Sequence, residues 1–209
     1  MFRYDCTNPY EELDKLHLQI CKFEADMEKL IAQAALFEVN VPDYRQLKQC
    51  RKEIKLLKQL WDCIYLVRFS VDDWKTTPWR KIDVDMMDVE LKRFAKEIRQ
   101  LDKEMKAWDA YTALDGFVKN TMTSMRAVAD LQNPAIRDRH WAQLMQATKV
   151  RFSMDEGTTL ADLLSLNLHK FEDEVKNIVD KAVKEMGMHV LYMYPYCILH
   201  LSSLTCTSS

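Results

Sequence analysis

Glycine and proline are scarce in this chain of 209 residues, at three and five. That shortage leaves few sites for the tight turns that a sheet needs. It also removes whole classes of chemistry. A phosphate loop needs closely spaced glycines followed by lysine, so that backbone N–H groups can approach the phosphates. Here Gly116, Gly157 and Gly187 stand alone, and none precedes Lys-Ser or Lys-Thr. No H-E-x-x-H, G-x-S-x-G or dinucleotide fingerprint occurs. Excess charge of either sign is missing too: 30 basic residues meet 32 acidic ones, for a net −2. Nucleic acid and anionic membranes therefore have no electrostatic claim on the chain.

The six cysteines, Cys6, Cys21, Cys50, Cys63, Cys197 and Cys206, form no C-x-x-C pair and no regular framework. Free thiols are the expectation. His17 and Cys21 are spaced i, i+4 and share a helix face, but two ligands do not make a zinc site. His140 and His169 likewise lack a partner that spacing can assign, and Asp72-Asp73 and Glu172/Glu174 read as caps or surface charges. No catalytic, cofactor-binding or metal residue is assigned, and no cofactor. Met1–Tyr10 lacks a basic start followed by an apolar core, so it is not a secretory signal, and a cytosolic chain is the default.

What the chain does have is helical period. After Asn8-Pro9, apolar residues fall at Leu13, Leu16, Ile20, Phe23, Met27, Leu30 and Ala34, in steps of three and four. Val41-Pro42 ends that helix and Asp43 can cap the next, whose stripe is Leu47, Cys50, Ile54, Leu57, Trp61 and Ile64. Phe69–Lys81, with Trp74, Pro78 and Trp79, is expected as an aromatic connection. A third helix of about 25 residues should run from Val84 to Trp108, roughly 37 Å long. After a bend near Trp108–Tyr111, a looser period follows through Leu114, Val118, Met122, Met125 and Ala129. Asn133-Pro134 reads as an N-cap with proline at the first helical position. The helix it opens carries Ile136, His140, Trp141, Leu144 and Met145, and Glu156-Gly157 should break it. Thr159-x-x-Asp162 then starts a run from Leu160 to Met186. The expected fold is all-α, an elongated helical bundle with coiled-coil-like heptad seams.

Three blocks carry more than period: LFEVNVPDYRQLKQCRKEIKLLKQLWD at Leu36–Asp62, WKTTPWRKIDVDMM at Trp74–Met87, and LQNPAIRDRHWAQLMQATKVRFSMDEGTTLADLLS at Leu131–Ser165. In this order they resemble the part of axonemal dynein heavy chains that leads into and begins the linker, over about Leu36 to Met188. The resemblance implies a non-catalytic structural piece, a fragment or truncated isoform, of a ciliary or flagellar motor. The family's ATPase modules and microtubule-binding stalk are not represented. It implies dynein intermediate and light chains, neighbouring heavy chains and the motor ring as partners, and cytoplasm, cytoskeleton and axoneme as location. The alternative is a free-standing coiled-coil adaptor binding other helical proteins.

Three parts are expected: an N-terminal tail helix over 1–42, a linker-type helical region over 43–188, and a poorly ordered apolar tail over 189–209. The tail departs from the family pattern and contains no Lys, Arg, Asp or Glu. It reads like an alternative exon. Val190–Leu201 is too short to span a bilayer and Pro195 interrupts it, a membrane anchor being the rival reading. Losing the family's next helix should also leave the seam at Val175, Ile178 and Ala182 uncovered.

Overall fold

The computed structural model describes residues 4–152, 154–155 and 157–188, and the backbone of the last helix as far as Ser203. Seven α-helices occur among the described residues: α1 Pro9–Leu36, α2 Arg45–Lys75, α3 Val84–Gln100, α4 Asp109–Leu131, α5 Asp138–Thr148, α6 Leu160–Ser165 and α7 Glu172–Ser203. Short 3₁₀ turns cover Trp79–Lys81, Lys103–Ala107 and Leu168–Lys170. The all-α class is as the period requires. The chain divides into two compact units, one of residues 1–71 with 93–118, the other of residues 72–92 with 119–209.

In the first unit, α1 begins where proline's missing N–H costs nothing, with Glu11 and Glu12 in its first turn facing the helix dipole. It pairs with α2 in an antiparallel hairpin. Tyr10 donates to Asp62 Oδ1 at 2.9 Å near one end, and Arg51 clasps Glu24 further along. Burial and the Asp62 carboxylate push the Tyr10 phenol up to about 12. The α2 stripe that is buried runs Leu56, Leu60, Ile64, Val67 and Val71, with Trp61 beside it. Leu57 is only half-buried, so the seam sits one residue away from the expected position there. Nor does α2 stop at Phe69; it continues to Lys75, because Val67 and Val71 extend the same stripe.

The third and fourth helices keep their stripes but not their expected lengths. Met87, Leu91, Phe94 and Ile98 are buried as the period demands. The helix nevertheless ends at Gln100, not Trp108. Asp102, with extended ψ of 143°, accepts from Glu104 N–H at 3.0 Å and starts a 3₁₀ turn instead. This local bond competes with helix continuation, the usual effect of aspartate. On α4 Tyr111, Leu114, Val118, Thr121, Met125 and Val128 are buried in steps of three and four, with Ala110, Ser124, Ala127 and Leu131 buried beside them. The period looked loose only because a threonine occupies a seam position.

In the second unit the elements between α4 and α7 are short, and they share a core with α7. Leu144, Leu160, Leu163, Leu168 and Val175 are fully buried, with Ile178 and Ala182 close to it. The seam expected to lie uncovered at Val175, Ile178 and Ala182 is therefore covered. Two further boundaries differ from expectation. Asn133-Pro134 does not start α5: the Asn133 side chain accepts from Ala135 N–H at 2.9 Å, making a turn, and the helix begins at Asp138. It ends at Thr148, with Lys149 left-handed at φ 59°, well before Gly157. The run from Leu160 is also split, since Asn167 takes φ 53° between α6 and α7. Asparagine adopts that left-handed conformation more readily than most residues. The backbone of α7 passes through the segment named above as the apolar tail, whose side chains lie outside the described residues.

Candidate functional site

The second unit brings two of the three sequence blocks together around Trp79 and Trp141. Trp79 N–H donates to Thr158 O at 2.8 Å, and Leu160 N–H returns to Thr77 O at 2.9 Å. These two bonds make a single antiparallel bridge, Pro78 to Thr159. Thr159 also starts α6. Its N–H donates to Asp162 Oδ2 at 2.8 Å, so the cap read from Thr159-x-x-Asp162 forms. The Thr158 hydroxyl accepts from Asp155 N–H at 3.0 Å, which tightens the approach. Above this bridge, Trp79 meets Trp141 edge to face, with centroids 5.6 Å apart at 84°. Trp141 meets Phe152 in the same way, at 6.1 Å and 85°. Each such pair contributes about 0.5–1.5 kcal/mol beyond its buried area.

The residue before Trp141 works on a different neighbour. His140 is fully buried. Its Nδ1 accepts from Arg137 N–H at 3.0 Å and so caps α5. That bond fixes the tautomer: Nε2 carries the hydrogen and points at Glu185 Oε2, 3.2 Å away on α7. Arg139 clasps the same oxygen. The Arg139 guanidinium, with help from His140, holds the Glu185 carboxyl below the usual carboxylate range. Two adjacent residues of α5 thus reach two different places. His140 ties α5 to α7, and Trp141 ties it to the Pro78–Thr159 bridge.

The remaining candidates stay apart. His17 Nε2 lies 3.6 Å from Cys21 Sγ, but the Arg51 guanidinium approaches both, at 2.7 Å from His17 Nδ1 and 3.3 Å from Cys21 Sγ. A cation seated there disfavours a metal ion, and no group of ligands suited to one occurs among the described residues. Arg51 and its hydrogen bond hold Glu24 below the usual range. Glu172 pairs with Lys176 one turn on, at 2.8 Å, while Asp72 pairs with Lys75 at 2.7 Å. Cys6, Cys21, Cys50 and Cys63 are free, and Cys197 and Cys206 lie outside the described side chains. No helix among the described residues is long and apolar enough to cross a membrane.

Sequence reading found Trp79, Trp141, His140 and the Thr159–Asp162 cap without their partners. It missed Glu185, which lies 45 residues from His140 and carries no local signal. Asn133, Gln132 and Ile136, with Trp79 and Trp141, line a shallow cleft of about 350 Å³.

The comparisons agree with the blocks. The family described as dynein heavy chain, N-terminal region 2, matches residues 47–190. The chain is 64% identical over 188 residues, 90% of its length, to the ciliary dynein beta chain of Heliocidaris crassispina. It is 60% identical over 187 residues to human dynein axonemal heavy chain 17, again across 90% of its length. Identity to the flagellar outer-arm dynein beta chain of Chlamydomonas reinhardtii is 43% over 164 residues, or 78% of the chain. In each case the chain spans about 4% of the relative's length.

Proposed function

Because this chain belongs to the dynein heavy chain family, we propose that it is a non-catalytic structural part of a ciliary or flagellar heavy chain. Its place is the tail-to-linker region, where it transmits force for microtubule-based movement in the axoneme. The match of residues 47–190 to the N-terminal region of the family carries this reading. The geometry of the second unit supports it. A load-bearing part needs segments that cannot slide past one another. Here a backbone bridge, an edge-to-face aromatic set and a buried histidine cap tie Thr77–Trp79, α5, α6 and α7 together. Nothing in the sequence supplies a phosphate-binding loop, so ATP hydrolysis falls to other parts of the motor. The partners of this region are other dynein subunits: intermediate and light chains, neighbouring heavy chains and the motor ring.

The test uses the intact heavy chain. Trp141→Leu combined with Glu185→Gln loosens both ties of α5 while leaving the ATPase modules untouched. The expected result is slower microtubule gliding at nearly unchanged ATP turnover. Unchanged gliding velocity with the fold shown to be loosened would sink the force-transmitting role. Saturable ATP hydrolysis by the 209-residue chain itself, surviving further purification, would sink the non-catalytic one.

A further inference from the structure

We propose that the tip of the α1–α2 hairpin pairs with the same tip of a second copy of this chain, completing a four-helix bundle. The starting observation is a heptad stripe that loses its cover halfway along. At Leu13 and Ile20 the α1 stripe is buried. Further along, Phe23 and Leu30, one heptad apart, are 60% and 53% exposed, and Phe37 just past the helix is 76% exposed. Across from them Tyr44, just before α2, and Leu47 in its first turn are only half-buried. Between the two helices lies a groove of about 700 Å³, with Met27 and Leu47 in its lining, Asp26 on the α1 wall and Arg45 on the α2 wall. Apolar side chains at heptad spacing beside an open groove are the usual seat of another helix.

Charge decides which occupant fits. Residues 22–38 of the α1 wall carry four acidic and two basic side chains. Residues 45–58 of α2 carry six basic and one acidic. The hairpin is antiparallel, so these opposite walls stand side by side over the same few turns. A dyad parallel to the helix axes sets α1 of one copy against α2 of the other. Asp26 then faces the second copy's Arg45, and Arg45 faces the second copy's Asp26, as a self-complementary patch requires. A dyad across the helices would instead set acidic α1 against acidic α1. Existing ties do not prevent the first arrangement. Asp26 reaches Lys29 at 3.5 Å and Arg45 reaches Asp43 at 2.8 Å, both exposed pairs of small worth that can be exchanged. Four helices around one apolar seam is a stable packing solution, whereas two leave a face wet.

The experiment is sedimentation equilibrium on the 209-residue chain with two charge-reversal variants, Asp26→Arg and Arg45→Asp. The wild-type chain should reach twice its 24.7 kDa mass in the micromolar range. Asp26→Arg sets two positive side chains together at each of the two symmetry-related contacts and Arg45→Asp sets two negative ones, so each alone should dimerise at least about tenfold more weakly. Mixed in equal amounts they should recover the wild-type mass, because each now complements the other. Both residues are exposed, and circular dichroism checks that the variants keep their helices; Leu30→Glu supplies a second disruption that leaves the charges alone. A wild-type monomer at about 100 µM would overturn the proposal. So would variants that associate as strongly as wild type, which would place any association on another surface such as residues 189–209. Failure of the mixture to recover would overturn the α1-to-α2 pairing.

Discussion

The most regular stretch of this molecule and its least regular stretch have opposite fates. The second half of α1 keeps a three-four apolar alternation as far as Ala34, yet Phe23 and Leu30 stand in solvent. From Leu131 to Phe171 the chain changes element every few residues, through a turn at Asn133, a left-handed Lys149 and another left-handed residue at Asn167. There Leu144, Leu160, Leu163 and Leu168 are wholly buried. Period says which side of a helix is apolar, while burial depends on what the rest of the chain brings to that side. Short elements pinned by caps can enclose a core more completely than a long helix that meets its neighbour on one side only.

The comparison predicts unequal responses to the same truncation. Leu163→Ala should cost about 2–5 kcal/mol, since it removes a fully buried side chain and leaves a cavity. Leu30→Ala, measured in dilute solution, should fall within about 0.5 kcal/mol of wild type. Urea melts of the two variants check this, and similar losses would erase the contrast. The caps come next. Asp162→Ala should cost about 1 kcal/mol by freeing the Thr159 N–H at the start of α6. A loss confined to that helix in amide exchange, with α1 unchanged, is the sharper readout.

A smaller effect, opposite in sign, belongs to the left-handed residues. Lys149→Gly should stabilise the second unit by about 0.5–1 kcal/mol, because lysine at φ 59° bears a steric cost that glycine escapes. Asn167→Gly should change little, asparagine being already tolerant of that region. Equal gains at both sites would mean that side-chain chemistry is irrelevant to these turns. Smallest is the acid dependence of the α5–α7 tie. Arg139 and His140 hold the Glu185 carboxyl low in the folded chain, so its contribution is present above the ordinary carboxylate range. It disappears as pH falls through the depressed folded value. The stability gap between wild type and Glu185→Gln should accordingly close on acidification from about pH 6 to below about pH 4. Parallel stability profiles across that window would mean that Glu185 adds nothing through its charge.

Legibility in the sequence followed the range of the interaction. The start of α1 at Asn8-Pro9 and the Thr159–Asp162 cap rest on neighbours within four residues, and both were readable. So was the α3 stripe Met87, Leu91, Phe94, Ile98, because repeated apolar spacing is a local property. The end of α3 was harder, since Asp102 can either sit in a helix or bond to the next backbone N–H, and the second wins here. Proline at Pro134 fits both a turn and a first helical position; the Asn133 side chain chose the turn. Seam position Thr121 was invisible to a count of apolar residues. The site was less legible than the fold. Trp79 and Trp141 stood out as aromatics, but nothing near either names the other, and Glu185 offered no cue at all.

The Pro78–Thr159 bridge also sets a schedule for synthesis. Trp79 leaves the ribosome with no partner for its N–H, and Thr158 follows roughly 80 residues later, about 4–16 s at ordinary elongation rates. During that interval the segment after α2 lacks its bridge partner, with Pro78 and Trp79 open to whatever is nearby. The α1–α2 hairpin, by contrast, is sequence-local and can close as soon as it emerges. The nascent chain therefore acquires its first unit's hairpin well before the tie that holds its second unit, and the interval between them is when a chaperone would find Thr77–Trp79 uncovered.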